Sequence, residues 1–161
     1  MARARRTRNR GPERSTRLGR CAAANSAMSE EFLDQIERIA EQHGRFRKEA
    51  YLFIYDALQY TVAKLGKASL PREQRHVSGR DLLHGISEYG LDQFGPLARM
   101  VFAHWGVGAT RDFGEMVFHL IEAGLMSKTE QDRLEDFEDV YDLDEELDWK
   151  RRRSEFRRPR G

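Results

Sequence analysis

Five glycines, Gly44, Gly66, Gly90, Gly106 and Gly124, cut the middle of the chain into segments in which apolar side chains recur every three or four residues. That period belongs to an α-helix with a buried face, and a glycine just past the last periodic residue is a common way to end one. The pattern restricts the chain to an all-α class. The architecture it predicts is a compact bundle of five to six short helices, one domain with disordered charged termini.

The first helix is expected after Met28, where Ser29 can cap, Glu30 and Glu31 suit the positive end, and Phe32, Leu33, Ile36, Ile39 and Ala40 form a face ending at Gly44. A second, over 48–65, carries Tyr51, Ile54, Tyr55, Leu58, Val62 and Leu65 on one stripe and Phe53, Ala57 and Tyr60 on another, which predicts a central helix touched from two sides. Ser78 and Asp81 frame the start of a third, with Leu82, Leu83, Ile86 and Tyr89 facing inward until Gly90. Pro96 opens a fourth that runs through Leu97, Met100, Val101 and Trp105 to Gly106. A fifth is expected after a Thr110 cap, ending at Gly124, followed by a short capped helix in "SKTEQDRLEDF". The expected core is Ile36, Tyr51, Ile54, Tyr55, Leu58, Leu83, Ile86, Met100, Val101, Trp105, Val117, Leu120 and Ile121.

Charged residues make up 34% of the 161 residues against 39% hydrophobic, so part of the charge must sit outside a core. It sits at the ends. Residues 1–27 carry eight arginines against Glu13 alone, residues 130–149 carry eleven acids against Arg133 alone, and residues 150–161 carry seven basic residues against Glu155. The start has too little apolar area to fold. It reads equally well as a basic arm and as upstream sequence translated from a start placed too early, with Met28 the natural beginning. The expected division is therefore 1–27 as arm, 28–143 as helical domain and 144–161 as an acidic then basic tail, with "EDVYDLDEELDW" docking as far as Leu143.

Cys21 is the single cysteine, so neither an internal disulfide nor a cysteine zinc site can form, and a reducing cytoplasm fits. No apolar run approaches the roughly 20 residues of a membrane helix. No phosphate loop, dinucleotide fingerprint, nucleophile elbow or zinc-protease helix is present, and no cofactor is implied.

The stretch "HWGVGATRDFG" has the outline of a helix-turn-helix. A recognition helix must approach phosphates, yet residues 111–123 carry Asp112, Glu115 and Glu122 against Arg111, and their apolar side chains point in most directions around the axis. A structural turn explains the stretch better than sequence-specific DNA reading. The basic end is the stronger electrostatic feature: Lys150, Arg151, Arg152, Arg153, Arg157, Arg158 and Arg160 can neutralise phosphates, and Trp149 and Phe156 can stack on unpaired bases of RNA. The competing reading is a solvated end, or one paired with the acidic run before it and released when a partner displaces that run. Glu115, His119 and Glu122 share a helix face and are weak metal candidates, since a di-iron bundle needs further carboxylates from facing helices.

The blocks "EAYLFIYDAL", "HVSGRDLLHGI", "FGPLARMVFAHWGV" and "TRDFGEMVFHLIEAGLMSKTEQDRLEDF" resemble a small conserved family of bacterial proteins, mainly from planctomycetes and verrucomicrobia, over about residues 45–147. That family has no assigned reaction, so the resemblance implies a compact domain and no chemistry. The function expected from the sequence is a non-catalytic interaction or regulatory module with a protein partner. An RNA- or ribosome-associated protein using the arginine tail comes second, and an acid–base enzyme using Glu115 and His119 third.

Overall fold

The computed structural model describes residues 18–156, with side chains described for residues 30–154. All regular structure among them is helical. The helices are α1 (Leu18–His43), α2 (Lys48–Lys64), α3 (Gly79–Phe94), α4 (Ala98–His104), α5 (Thr110–Glu122), α6 (Leu143–Glu146) and α7 (Trp149–Phe156), with single 3-10 turns at Arg72–Gln74, Gly95–Leu97 and Leu134–Phe137. The chain divides into two compact units, Met1–Leu33 and Asp34–Gly161. In the first, the described backbone is the helical stretch 18–33; Ser29 lies inside α1, upstream of which residues 1–17 fall outside the described residues.

The second unit is built around α2. Ala50, Tyr51, Phe53, Ile54, Ala57, Thr61 and Val62 are buried on it, so the expectation of a helix packed on two sides holds. Against one side lies α3, close enough that a Cβ added to Gly85 would meet the Thr61 hydroxyl, itself held to the Ala57 carbonyl at 2.7 Å. Phe53 gathers the other aromatic rings, with centroids of Tyr89 and Phe102 at 5.3 Å, Trp105 at 5.4 Å and Phe94 at 5.8 Å. Edge-to-face and tilted pairs at these separations add to plain burial.

Of the expected core, Ile36, Tyr51, Ile54, Leu83, Ile86, Val117 and Leu120 are buried, while Tyr55, Leu58, Val101, Trp105 and Ile121 are half-buried and Met100 is 68% exposed. The error lies in the phase of α4. A helix of seven residues offers two turns, too few to fix which face is inward, and the structure turns Ala98 and Phe102 to the core with Val107 behind them. The phase is set by α3: Phe102 sits on Gly90, where a Cβ would approach its ring to 2.7 Å. Gly90 is therefore a seat inside α3 and not its end, and the helix continues to Phe94, where Gly95 takes φ 52°.

Two starts were read differently by the chain. Ser78 caps α3 as expected, its Oγ accepting from the Asp81 N–H and donating to the Asp81 carboxylate. Thr110 does not cap α5. It lies buried in the first turn and its hydroxyl accepts from Val140 N–H at 3.3 Å, while Asp112 reaches back to the N–H groups of Gly108 at 2.7 Å and Ala109 at 3.0 Å.

The chain beyond α5 is packed further than Leu143. Phe137, Leu143 and Leu147 are buried, the Tyr141 hydroxyl donates to the Leu83 carbonyl at 2.7 Å, and Ser87 donates to Glu146 at 3.0 Å. Residues 144–147 thus belong to the packed unit and not to a tail. Burial pushes the Tyr141 phenol far up, so it is a hydrogen-bond donor at every accessible pH.

Candidate functional site

The glycine turn after α4 answers to a contact with the α1–α2 connection. Gly106 takes φ 91°, and a Cβ there would lie 2.7 Å from the Arg45 carbonyl oxygen; the next hydrogen bond joins Arg47 N–H to the Trp105 carbonyl at 3.2 Å. Only a glycine permits both the backbone angle and the approach. On the helix that follows, Phe113, Gly114, Met116, Val117 and Leu120 face the core, leaving Arg111, Glu115 and Glu122 toward solvent. That outward face is net acidic. It has nothing to offer a phosphate backbone.

Beside this turn lies a polar cluster. The Arg45 guanidinium forks to Asp112 Oδ1 and Glu115 Oε2, each at 2.5 Å. Asp112 is buried and its other oxygen holds the Gly108 and Ala109 amides. Glu115 also faces Arg111, which pairs with Glu138. One turn further, His119 Nδ1 is 2.9 Å from the Tyr51 hydroxyl, and the His43 ring lies parallel over the His119 ring at 3.4 Å. Burial raises the Tyr51 phenol to about 12, with the Glu115 charge adding to the rise. Burial lowers the His119 pKa, and the neighbouring His43 lowers it further against the opposing pull of Glu122 and Glu115.

This arrangement accounts for the metal candidates. Glu115 is held by two arginines, His119 by Tyr51 and His43, and Glu122 is exposed, and among the described residues no group of three His, Cys, Asp or Glu is disposed around a common point. The two best-formed concavities are lined by other residues. Within it, His119 carries a pH dependence. A histidine whose folded pKa is depressed binds fewer protons than the unfolded chain in the window below its ordinary value of 6.5, so stability falls as pH drops through that window. The expected result is a falling melting temperature from pH 7 toward pH 5, with a shallower slope in His119→Gln. Equal slopes in the two proteins would remove His119 from the account.

One concavity, of about 210 Å³, opens between α2, α3 and the end of α4. Phe53, Tyr89, Phe94 and Trp105 form its walls, and Glu49 and Asp56 stand on its α2 edge. Sequence reasoning placed Trp105 in the core and gave Glu49 and Asp56 no part. The signal was there: the two acids flank Phe53 on one helical face, a repeat of seven residues.

The predicted basic residues divide. Trp149 is half-buried, the edge of its ring 3.9 Å from the point where a Gly95 Cβ would be. Lys150, Arg151 and Arg153 are exposed on α7, and Arg152 is half-buried with its charge felt at the Tyr60 phenol. The Phe156 backbone closes α7, and Arg157, Arg158 and Arg160 lie outside the described residues. The acidic run spends charges on the helical unit: Asp144 on Arg99 at 2.6 Å, Glu138 on Arg111 and Glu146 on Ser87.

No family model, curated protein or solved structure matches the chain. Among the described residues no helix is long and apolar enough to cross a membrane.

Proposed function

We propose that the chain is a non-catalytic interaction or regulatory module that engages another macromolecule, with a protein partner, and that it works in the cytoplasm, as its single cysteine suits. The observation that carries this reading is the surface around α4. Leu97 and Met100, three residues apart, are 56% and 68% exposed, and Phe94 and Trp105 on either side of them in the chain line the aromatic concavity. Large apolar side chains held out in this way next to a concave aromatic surface suit a docking face, and methionine adapts to a partner's shape. The histidine cluster supports the same reading, since its polar groups are spent on one another. The resemblance to the planctomycete and verrucomicrobial family remains part of this proposal and adds a compact domain only.

A second reading has its own observation: α7 displays Lys150, Arg151 and Arg153 outward, as an RNA contact requires. One experiment separates the two. Full-length protein is used as bait in native lysate, with and without nuclease, beside Leu97→Glu/Met100→Glu and a deletion of residues 150–161. The protein-module reading expects a partner that survives nuclease and the deletion but is lost with the double glutamate variant, whose fold is unaffected because both side chains already face water. Material that vanishes with nuclease and with the deletion would replace it by the RNA reading.

A further inference from the structure

The concavity beside α2 has a chemistry that the docking reading does not yet specify. Four aromatic side chains line it, Phe53 buried behind the others, and two carboxylates of α2 line it with them. Those carboxylates are unspent: among the described residues neither Glu49 nor Asp56 has a hydrogen bond or an ion pair, and the nearest cation in sequence, Lys48, is turned to Glu37 at 2.8 Å. Other acids of this unit have bases beside them, Asp112 and Glu115 with Arg45, Glu88 with Lys64, Asp144 with Arg99. Burial raises the Asp56 pKa, and burial also raises that of Tyr89, with the Asp56 charge adding to the rise.

Aromatic faces attract cations electrostatically, guanidinium above all, and a carboxylate beside them supplies the counter-charge and the hydrogen-bond acceptors. The spacing narrows the ligand. Residues seven apart in a helix lie on the same face, separated by about 10 Å along the axis. Two carboxylates that far apart cannot fork onto one guanidinium. An extended peptide advances about 3.3 Å per residue and only every second side chain faces the groove, so arginines four apart, about 13 Å between their Cα atoms, share a face and reach both carboxylates by leaning inward.

We propose that this groove binds an extended basic segment of a protein partner, with two arginines four residues apart, one guanidinium at Glu49 and the other at Asp56, against Tyr89, Phe94 and Trp105. The proposal rests on the reading of the chain as a protein-binding module and names the chemistry of what it binds. Polyanions such as RNA are repelled by the same two carboxylates.

The test is a titration of full-length protein against a fluorescently labelled Gly-Ser-Arg-Ala-Ala-Ala-Arg-Ser-Gly peptide, followed by anisotropy at low salt and to about 1 mM. The same peptide with citrulline for both arginines, and the Glu49→Gln/Asp56→Asn protein, run beside it. Both carboxylates are on the surface, so the variant keeps its fold, checked by its melting curve. The expected result is binding by the wild type, weakened roughly tenfold or more in the double variant and absent for the citrulline peptide, with the Trp105 indole N–H resonance shifting on titration. Equal affinity in wild type and double variant overturns the proposal and puts the peptide elsewhere, for example on the acidic stretch 130–149. No binding at the highest concentration also overturns it. In either case the partner lost through Leu97→Glu/Met100→Glu is untouched, so failure of the arginine chemistry and failure of the docking reading are separate results.

Discussion

Asp112→Ala is expected to lower the free energy of unfolding by about 1–2 kcal/mol, measured by chemical denaturation at pH 7. The carboxylate is 5% exposed and accepts from three donors: two backbone amides at the start of α5 and the Arg45 guanidinium. Most of the loss comes from the amides. Gly108 and Ala109 have no other acceptor within the turn, but both residues are exposed, so water partly replaces the carboxylate and the loss is that of a helix cap. Arg45 matters less because its side chain is 52% exposed and rehydrates once the carboxylate is gone. Arg45→Ala should therefore cost under about 1 kcal/mol, as for other exposed ion pairs. Asp112→Asn, which keeps one acceptor oxygen for the amides, should fall between the two. If Asp112→Ala stayed within about 0.5 kcal/mol of the wild type, the cluster would have no structural role and its buried acid would need another explanation.

Why Asp112 escaped the sequence reading shows how far such a reading reaches. In sequence, Thr110 is the better cap, and Asp112 is one of three acids on a helix. Only the tertiary contact of Thr110 with Val140 removes that hydroxyl from the cap and hands the task to the acid. The long helices were legible because α2, α3 and α5 repeat their apolar period over enough turns for the pattern to be unambiguous. Gly44, Gly66, Gly106 and Gly124 were legible as ends, and all four take positive φ. Gly90 looked the same on paper and serves the opposite purpose, since a glycine that admits a ring from another helix cannot be told from one that ends its own. The short α4 failed for want of turns, and with it went the groove, whose wall depends on Trp105 standing at the rim and not in the core. The basic tail was legible as charge alone, and the seat of Trp149 beside Gly95 was not, because it depends on where the acidic stretch docks.

Gly114→Ala should destabilise the protein by about 1.5–3 kcal/mol, although helix propensity alone argues for stabilisation by about 1 kcal/mol. The conflict is settled by space. A Cβ on Gly114 would lie 2.7 Å from both Cβ and Cγ of Phe137 and 3.0 Å from a methyl of Leu134, and the Phe137 ring is held on its far edge by Gly79 of α3, where a Cβ would meet it at 2.9 Å. The ring is 3% exposed and has nowhere to move. Two glycines on different helices thus form the slot that holds the C-terminal segment to the bundle. Accommodating the methyl means lifting Phe137, and with it the Val140 bond to Thr110 and the pairing of Glu138 with Arg111. A double-mutant cycle decides whether this is the mechanism. Phe137→Ala alone should cost about 3–4 kcal/mol, the usual loss for a buried phenylalanine. In the Gly114→Ala background it should cost far less, because the ring is already displaced, and Gly114→Ala should cost less, though still something, once Phe137 is alanine, because alanine keeps the Cβ that lies 2.7 Å from the new methyl. Hydrogen exchange supplies the spatial readout: amides over 137–147 should lose protection in Gly114→Ala while those of α2 keep it. Additive costs in the cycle would mean that the methyl fits without disturbing the ring, and the C-terminal segment would then owe its place to Tyr141, Leu143 and Leu147 instead.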